Sequence, residues 1–207
     1  LRAARTNVLH ALSHGARQVV VVTSAGPREG ASTTAAGLAR VLALSGHRVV
    51  LVGGDLRSPS AVGAPGAPGL AEVLVGTARL SQVLVEGEVP GLELLPAGDM
   101  PGNPSELLGG RNMSDLLHHL AADRIVIIDA PPVCRFTDAV VLAEYAGGVL
   151  LVARAGRTSA EELREAALAV GQGGGHMLGV VLTNVSDLGR GSRSAQTAVT
   201  HAESATV

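Results

Sequence analysis

Short runs of β-branched and other apolar residues alternate along the chain with amphipathic segments of helical spacing. The apolar runs that we interpret as buried strands are 17–23, 48–52, 92–96, 124–128, 149–153 and 178–182. The segments with helical character are 1–12, 32–45, 70–75, 81–85, 103–120 and 159–170. Strands that alternate with helices in this way are typical of parallel sheets joined by crossover helices. The pattern predicts an α/β fold with a doubly wound, mostly parallel sheet.

Two segments lack this periodicity. Residues 58–69 (SPSAVGAPGAPG) are rich in proline and glycine, which predicts either a mobile loop at the ligand-binding end of the sheet or a plain linker. Residues 186–207 are polar and free of aromatic side chains, which predicts a disordered tail. We therefore predict one domain over 1–185, opened by an N-terminal helix at 1–14 and followed by the tail.

Three informative loops follow predicted strands. Residues 24–33 come after the first strand, 53–59 after the second and 129–132 after the central one. The carboxyl ends of parallel strands meet at one edge of the sheet, and that edge is where open α/β sheets bind ligands. We expect the three loops to form one binding site.

The first of these loops has the outline of a phosphate-binding P-loop. In the pattern G-x-x-x-x-G-K-[ST], backbone N–H groups hold phosphate, the lysine reaches the terminal phosphates and the hydroxyl coordinates magnesium. Here the glycine and the hydroxyl are present, but an alanine stands in the lysine position. The residues that we expect to contact a nucleotide are Gly26, Pro27, Arg28, Glu29, Gly30, Ala31, Ser32 and Thr33.

The other two loops supply carboxylates. Asp129 ends an apolar strand that faces the P-loop, which is the position of a Walker B aspartate that holds magnesium directly or through water. The alternative is that this carboxylate accepts hydrogen bonds from the N–H groups of the next turn. Together with Asp55 and Ser32, Asp129 forms our predicted magnesium site, and the two aspartates are the candidate catalytic residues if the protein is active.

Composition narrows the functional classes. The chain has 16 arginines, no lysine and 18 acidic residues, for a formal net charge of −2, so we expect no nucleic-acid partner. Its single cysteine, Cys134, excludes an internal disulfide, and we interpret it as a small apolar side chain beside Val133. The histidines do not lie at metal-binding spacing. The chain contains no run of 18 apolar residues and begins at Leu1 within a helical pattern, so we expect a soluble piece of a longer polypeptide, with any membrane anchor outside it.

Further motifs occur in a fixed order along the chain. They are R-T-N at 5–7, T-S-x-x-P-x-E-G-x-S-T at 23–33, D-x-R at 55–57 followed by Pro59, N-P-S-E-L-L at 103–108, D-x-P-P at 129–132, T-D-A at 137–139 and an apolar strand with its turn at 147–159. With these motifs, residues 1–185 resemble the bacterial tyrosine kinases, the cytoplasmic P-loop kinase domains of capsular and exopolysaccharide co-polymerases.

The resemblance implies a P-loop NTPase fold of the MinD/ParA-like branch, with ATP or ADP and Mg²⁺ as cofactors. It also implies self-association through the N-terminal helix, where Arg2 and Arg5 match the family in part. The implied partner is a membrane chain-length determinant segment or subunit. The implied location is the cytoplasmic face of the bacterial inner membrane.

The departures from the family pattern fall on the chemistry. Ala31 replaces the P-loop lysine, and Gly53 replaces the first acid of D-x-D, which the resemblance would make the base that accepts the tyrosine proton. The C-terminal tyrosine cluster is absent. The sole tyrosine, Tyr145, lies in an apolar helical stretch, and we interpret it as a core residue rather than an acceptor.

The expected rate losses from these departures favour impaired catalysis. Loss of one charge-stabilising donor costs about 3 kcal/mol, or ~10²-fold in rate, and loss of a general base costs a further ~10²-fold to 10⁴-fold. Backbone N–H groups at a helix N-terminus still attract phosphate, so we expect weak nucleotide binding without useful kinase activity. Two alternatives stay open. One is an active tyrosine kinase or ATPase that uses Arg28 and a partner's tyrosines. The other is a partitioning-type ATPase, for which Ala25-Gly26 lacks the early lysine of that class.

Overall fold

A seven-stranded sheet with helices on both faces forms the fold. The computed structural model describes residues 2–13, 17–58, 62, 64 and 66–185. Within them the strands are β1 (Val19–Ser24), β2 (Val49–Gly53), β3 (Val85–Glu86), β4 (Leu92–Leu95), β5 (Ile125–Asp129), β6 (Gly148–Arg154) and β7 (Met177–Thr183). The helices are α1 (Arg2–Ser13), α2 (Ala31–Ala43), α3 (Leu70–Val75), α4 (Leu80–Val83), α5 (Pro104–Leu108), α6 (Arg111–Ala121), α7 (Asp138–Ala143) and α8 (Ala160–Gln172).

The strand order places the glycine-bearing loop at the centre of the sheet. The order is β3-β4-β2-β5-β1-β6-β7, and every pairing is parallel except that of β3 with β4. Strand β1 lies between β5 and β6, so the loop that follows β1 is adjacent to the loop that follows β5. This confirms the predicted doubly wound, mostly parallel sheet.

Two hydrophobic clusters lie on opposite faces of the sheet. One face is covered by α1 and α2, and the stripe Ala4, Val8 and Leu12 of α1 is buried there. The i, i+4, i+8 spacing of this stripe explains why the segment folds as a helix that packs along one side. The other face is covered mainly by α3 and α5–α8. No helix among the described residues is long and apolar enough to cross a membrane.

Several predicted boundaries change in the structure. The predicted helical stretch 103–120 is two helices, because α5 ends at Leu108 with Gly109 as its C-cap, and α6 begins after Gly110. The predicted helix 81–85 ends early, since Val85 belongs to the short strand β3. Tyr145 lies in a turn after α7 rather than within a helix. Much of the predicted loop 58–69, including Pro59, and the predicted tail 186–207 lie outside the described residues.

Candidate functional site

The loop between β1 and α2 has the backbone geometry of an anion cradle. Gly30 adopts the left-handed φ of 99° that glycine tolerates, and its carbonyl accepts the first helical bond, from Thr34 N at 2.9 Å. The N–H groups of Ala31, Ser32 and Thr33 therefore lie in the first turn of α2, where they have no partner within the helix. Such free N–H groups and the helix dipole favour a negatively charged ligand.

Side chains from neighbouring strands hold the cradle in shape. Thr183 Oγ1 donates to Glu29 O at 2.5 Å, and Arg154 Nη1 donates to Arg28 O at 3.2 Å. Arg28 itself has a positive φ of 61°, an uncommon conformation for a residue with a Cβ. A Cβ on Gly30 would lie 3.2 Å from Thr183 Cγ2, so the loop packs closely against the end of β7.

A cavity of about 560 Å³ opens beside the cradle. It is lined by Ser24, Pro27, Arg28, Glu29, Gly30, Ala31, Ser32, Thr33, Asp55, Ser58, Asp129, Ala130, Pro132, Arg135 and Phe136. The structure therefore brings the cradle and both predicted aspartates to one cavity. Of the predicted contact residues, Gly26 alone is outside this lining.

Asp129 and Asp55 form the acidic side of the cavity. Asp129 is 2% exposed, and burial raises its pKa to about 6 even though the Ser32 hydroxyl donates to it. The nearby charge of Asp55 raises this pKa further, and burial also raises the pKa of Asp55 itself. Two carboxylates that resist ionisation together, with a hydroxyl beside them, fit a hard divalent cation such as Mg²⁺.

The backbone of β2 fixes where an acid at position 53 would lie. Gly53 is in register with Asp129 on the adjacent strand, and Gly54 N donates to Asp129 O at 2.8 Å. In-register residues on parallel strands point to the same face about 4.8 Å apart. The first acid of the family's D-x-D motif would therefore stand next to Asp129. Both departures from the family pattern, Ala31 in the P-loop and Gly53 in D-x-D, thus lie at this site.

A buried ion pair supports the loop that carries Asp55. Arg57 donates to both carboxylate oxygens of Asp138, from Nε to Oδ2 at 2.6 Å and from Nη2 to Oδ1 at 3.0 Å. Ser105 Oγ donates to the same carboxylate and accepts from Arg57 Nη2 at 3.0 Å. The guanidinium carbon of Arg57 lies 4.7 Å from the centroid of the Phe136 ring. Burial alone would raise the pKa of Asp138, but Arg57 and Ser105 hold it below its usual value.

Sequence reasoning identified the motifs that contain these residues but not their roles. The motifs at 55–57, 103–108 and 137–139 are part of the resemblance to the family, and the structure joins one side chain from each into this ion-pair cluster. The order and polarity of those motifs were the available signal. Ser58 of the cavity lining lies in the predicted loop 53–59, whereas Arg135 and Phe136 fall outside the three predicted loops, and nothing in the local pattern places these two near the P-loop.

Two other expectations are refined. Cys134 is exposed, so its interpretation as a small apolar filler beside Val133 is wrong. Partial burial raises its thiol pKa, and the charges of Glu165, Glu162 and Glu29 raise it further, so it is not an activated nucleophile.

Arg5, which is predicted to take part in self-association, is bonded within its own chain. Its Nη1 donates to Ser45 Oγ at 2.7 Å, whereas the side chain of Arg2 is not among those that the structure describes. The described residues contain no group of three or more His, Cys, Asp and Glu side chains placed for a metal ion.

Comparison with known proteins shows the family of the chain. No family model matches it. Tyrosine-protein kinase YwqD of Bacillus subtilis is 36% identical over 185 residues, which cover 87% of this chain and 78% of YwqD. This chain belongs to the bacterial tyrosine-protein kinase family. Longer members of the kinase family match as well: putative tyrosine-protein kinase EpsB of Ralstonia nicotianae is 39% identical over 169 residues, 80% of this chain but 22% of EpsB. The chain thus spans about a quarter of the length of such relatives.

Solved structures of the kinase family agree. The chimerical protein CapA2B2 superposes with a TM-score of 0.80 at 33% identity, covering 86% of this chain and 80% of that one. The kinase domain of the Escherichia coli tyrosine kinase ETK gives 0.79 at 30%, covering 86% and 71%. The septum site-determining protein MinD of Pyrococcus horikoshii, complexed with Mg-ADP, shares the fold with a TM-score of 0.62 at 20% identity, covering 79% and 68%. The predicted family and the P-loop NTPase fold are confirmed.

Proposed function

We propose that this chain is a kinase-like domain that binds Mg²⁺-nucleotide weakly, transfers phosphate at a negligible rate, and acts in polysaccharide synthesis and export by assembly rather than catalysis. One observation carries the proposal. The backbone cradle and the two carboxylates are assembled around one cavity, while positions 31 and 53 of that site carry no charged side chain.

Binding is supported by the groups that remain. The N–H groups at the start of α2 line the cavity and favour the phosphates of ATP or ADP even without a lysine at position 31. Ser32, Asp55 and Asp129 would hold Mg²⁺, which supplies charge neutralisation at the phosphates when it is bound. The pKa values of Asp129 and Asp55 are both raised, and a bound divalent cation would offset the repulsion between their charged forms.

Catalysis is limited by the two missing charges. Phosphoryl transfer depends on positioning and on stabilising the charge of the transferred group. Without a lysine at position 31 the loss is about 10²-fold, and without an acid at position 53 to accept the tyrosine proton it is a further ~10²-fold to 10⁴-fold. A combined loss of about 10⁴-fold leaves binding and assembly as the useful properties of the site.

Family membership supports the proposed cellular role. In such a role the domain associates with further copies through α1 and with a membrane chain-length determinant at the cytoplasmic face of the inner membrane. Arg5 is engaged with Ser45 in the single chain, so its use in an interface requires that bond to open. Tyr145 is half-buried, which favours a core role over that of a phosphate acceptor.

The decisive comparison is between the unmodified chain and the variant Ala31→Lys with Gly53→Asp. Titration calorimetry with Mg-ADP is expected to give about 10-fold to 100-fold tighter binding for the variant, the scale of a charge-assisted hydrogen bond. Tyrosine phosphorylation of a Glu/Tyr copolymer is expected to rise by about 10⁴-fold.

Two controls keep the comparison interpretable. Leu44→Lys adds the same charge at an exposed position at the end of α2, away from the cavity, and should change neither readout. Thermal unfolding of each variant shows whether the acid at position 53 disturbs the sheet. If the unmodified chain phosphorylates tyrosine within tenfold of the double variant, it is an active kinase and the proposal is wrong.

A further inference from the structure

Arg135 is a cation on the cavity wall that no motif contains. It belongs to the turn between β5 and α7, where Arg135 N donates to Pro132 O at 3.0 Å. Its side chain is exposed, lines the cavity, and forms no ion pair or hydrogen bond with any of the residues that the structure describes. By contrast, Arg57 and Arg124 are held in ion pairs and Arg154 is bound to the cradle backbone.

The backbone that carries Arg135 is fixed next to the cradle. Val133 N donates to Ser24 O at 2.8 Å, and Thr23 Oγ1 donates to Pro131 O at 2.7 Å, so the turn is bonded to the end of β1. On its other side, the Phe136 ring packs under the guanidinium of the half-buried Arg57. The turn is therefore anchored at both ends, and the ordering of a free side chain is the main entropic cost of using Arg135.

The charge balance of the cavity indicates a role for Arg135. Its lining includes three acidic side chains, Glu29, Asp55 and Asp129, against two basic ones, Arg28 and Arg135. Arg28 is part of the cradle itself, whose N–H groups must face the ligand, and its carbonyl is fixed by Arg154. Arg135 comes from the β5–α7 wall, so it can approach a phosphate from a direction that the cradle leaves open.

We propose that Arg135 binds the phosphates of the nucleotide from the β5–α7 wall and supplies the positive charge that Ala31 does not. This inference rests on the proposed function, since it assumes that the cavity takes a nucleotide. A guanidinium suits this task because it donates two parallel hydrogen bonds to phosphate oxygens. It differs from a P-loop lysine in that it contacts the phosphates from the β5–α7 wall and not from the P-loop, which supports nucleotide binding more than phosphate transfer.

The test is a set of Mg-ADP titrations on the full chain. Arg135→Ala is expected to weaken Mg-ADP binding by about 10-fold or more, the scale of a charge-assisted bond to phosphate. Arg135→Lys is expected to recover part of the loss. Arg164→Ala, which removes another exposed arginine, from α8, is the matched control and should leave the affinity unchanged.

The same Arg135→Ala change in a chain that carries Ala31→Lys tests directly whether Arg135 replaces the missing lysine. If Arg135 stands in for the missing side chain, Arg135→Ala should cost much less in a chain that already carries Ala31→Lys, because the two charges serve the same phosphates. An equal loss in both backgrounds would overturn the role as a replacement for lysine. A loss no larger than that of Arg164→Ala would overturn phosphate binding by Arg135.

The outcomes also separate this inference from the proposed function. If the unmodified chain binds Mg-ADP but is indifferent to Arg135→Ala, the nucleotide site stands and the role of Arg135 is wrong. If the unmodified chain does not bind Mg-ADP, both are wrong, since Arg135 then fails to compensate for Ala31. Thermal unfolding without ligand should be the same for Arg135→Ala and the parent, because the side chain is exposed.

Discussion

Replacement of Arg57 with methionine tests how strongly the buried ion pair supports the loop that carries Asp55. The substitution removes two hydrogen bonds, of 2.6 Å and 3.0 Å, to a carboxylate whose side chain is 0% exposed. Methionine keeps most of the side-chain length and can still pack on Phe136. The change therefore isolates the charge and its hydrogen bonds from the apolar contact.

The expected loss of stability in Arg57→Met follows from how deeply the ion pair is buried. Breaking a buried ion pair by removing one partner costs roughly 3–5 kcal/mol, because the remaining charge is left without compensation. Arg57 is 31% exposed, and Ser105 still donates to Asp138, so the lower end applies and we expect a loss of about 3 kcal/mol at pH 7. For a domain of this size, that loss lowers the melting temperature by roughly 6–12 °C.

The cost should shrink at low pH. In the parent, Arg57 and Ser105 hold the pKa of Asp138 below its usual value, so the pair stabilises the fold above the unfolded pKa and this stability is lost as pH falls through the folded value. In Arg57→Met, burial acts with less opposition and the pKa of Asp138 rises, so the variant regains stability as the carboxyl takes up a proton. The two unfolding curves should converge as the pH falls toward 4.

The assay is urea unfolding of both proteins between pH 4 and pH 8. The matched control is Arg48→Met, which breaks the pair with Asp123, whose members are 58% and 46% exposed. That change should cost no more than about 1 kcal/mol. If Arg57→Met costs no more than Arg48→Met, or if its cost is the same at every pH, the cluster does not support the loop through charge.

Three further changes test the rest of the site. Asp129→Asn should stabilise the free protein at pH 7 by about 1–3 kcal/mol in urea unfolding, since the folded pKa of about 6 lies above the unfolded value, while abolishing the Mg²⁺ dependence of ADP binding; a loss of stability would contradict this. Gly54→Ala should cost about 1–3 kcal/mol, because its Cβ would meet a β5 methyl group at 2.6 Å, whereas Gly102→Ala, with open space around it, should not. Thr183→Val should cost about 1–2 kcal/mol and weaken ADP binding, because the hydroxyl that holds Glu29 O is lost; unchanged ADP affinity would refute its role in shaping the cradle.

Much of the fold could be predicted because its signals are local. The long apolar runs are buried on both faces of the sheet, as parallel strands are, and their ends agree with the structure to within about two residues. Strand β3 could not be predicted in this way. It is two exposed residues long and exists through its pairing with β4, so its own sequence carries no period.

The candidate site was predictable in its motifs and not in its connections. The cradle and both aspartates follow strands, so their convergence at one edge of the sheet follows from topology alone. The Arg57 cluster joins side chains that are 81 and 33 positions apart, and only the packing of α5 and α7 brings them together. Arg135 is harder still, because its place in the cavity depends on how one turn is bonded to the end of β1.

The two departures from the family motif compensate in charge but not in chemistry. A lysine at position 31 would add one positive charge to the cavity, and an acid at position 53 would add one negative charge, so the net charge of the site is the same with both or with neither. The long-range field that an anionic nucleotide meets at the cavity is therefore the same in both cases. What is lost is directional: a point charge at the terminal phosphate and a base beside Asp129, both of which act over about 3 Å. The cradle and the two aspartates would still recruit a nucleotide, while the two groups that would make it react are absent, and this difference supports the proposal of binding without transfer.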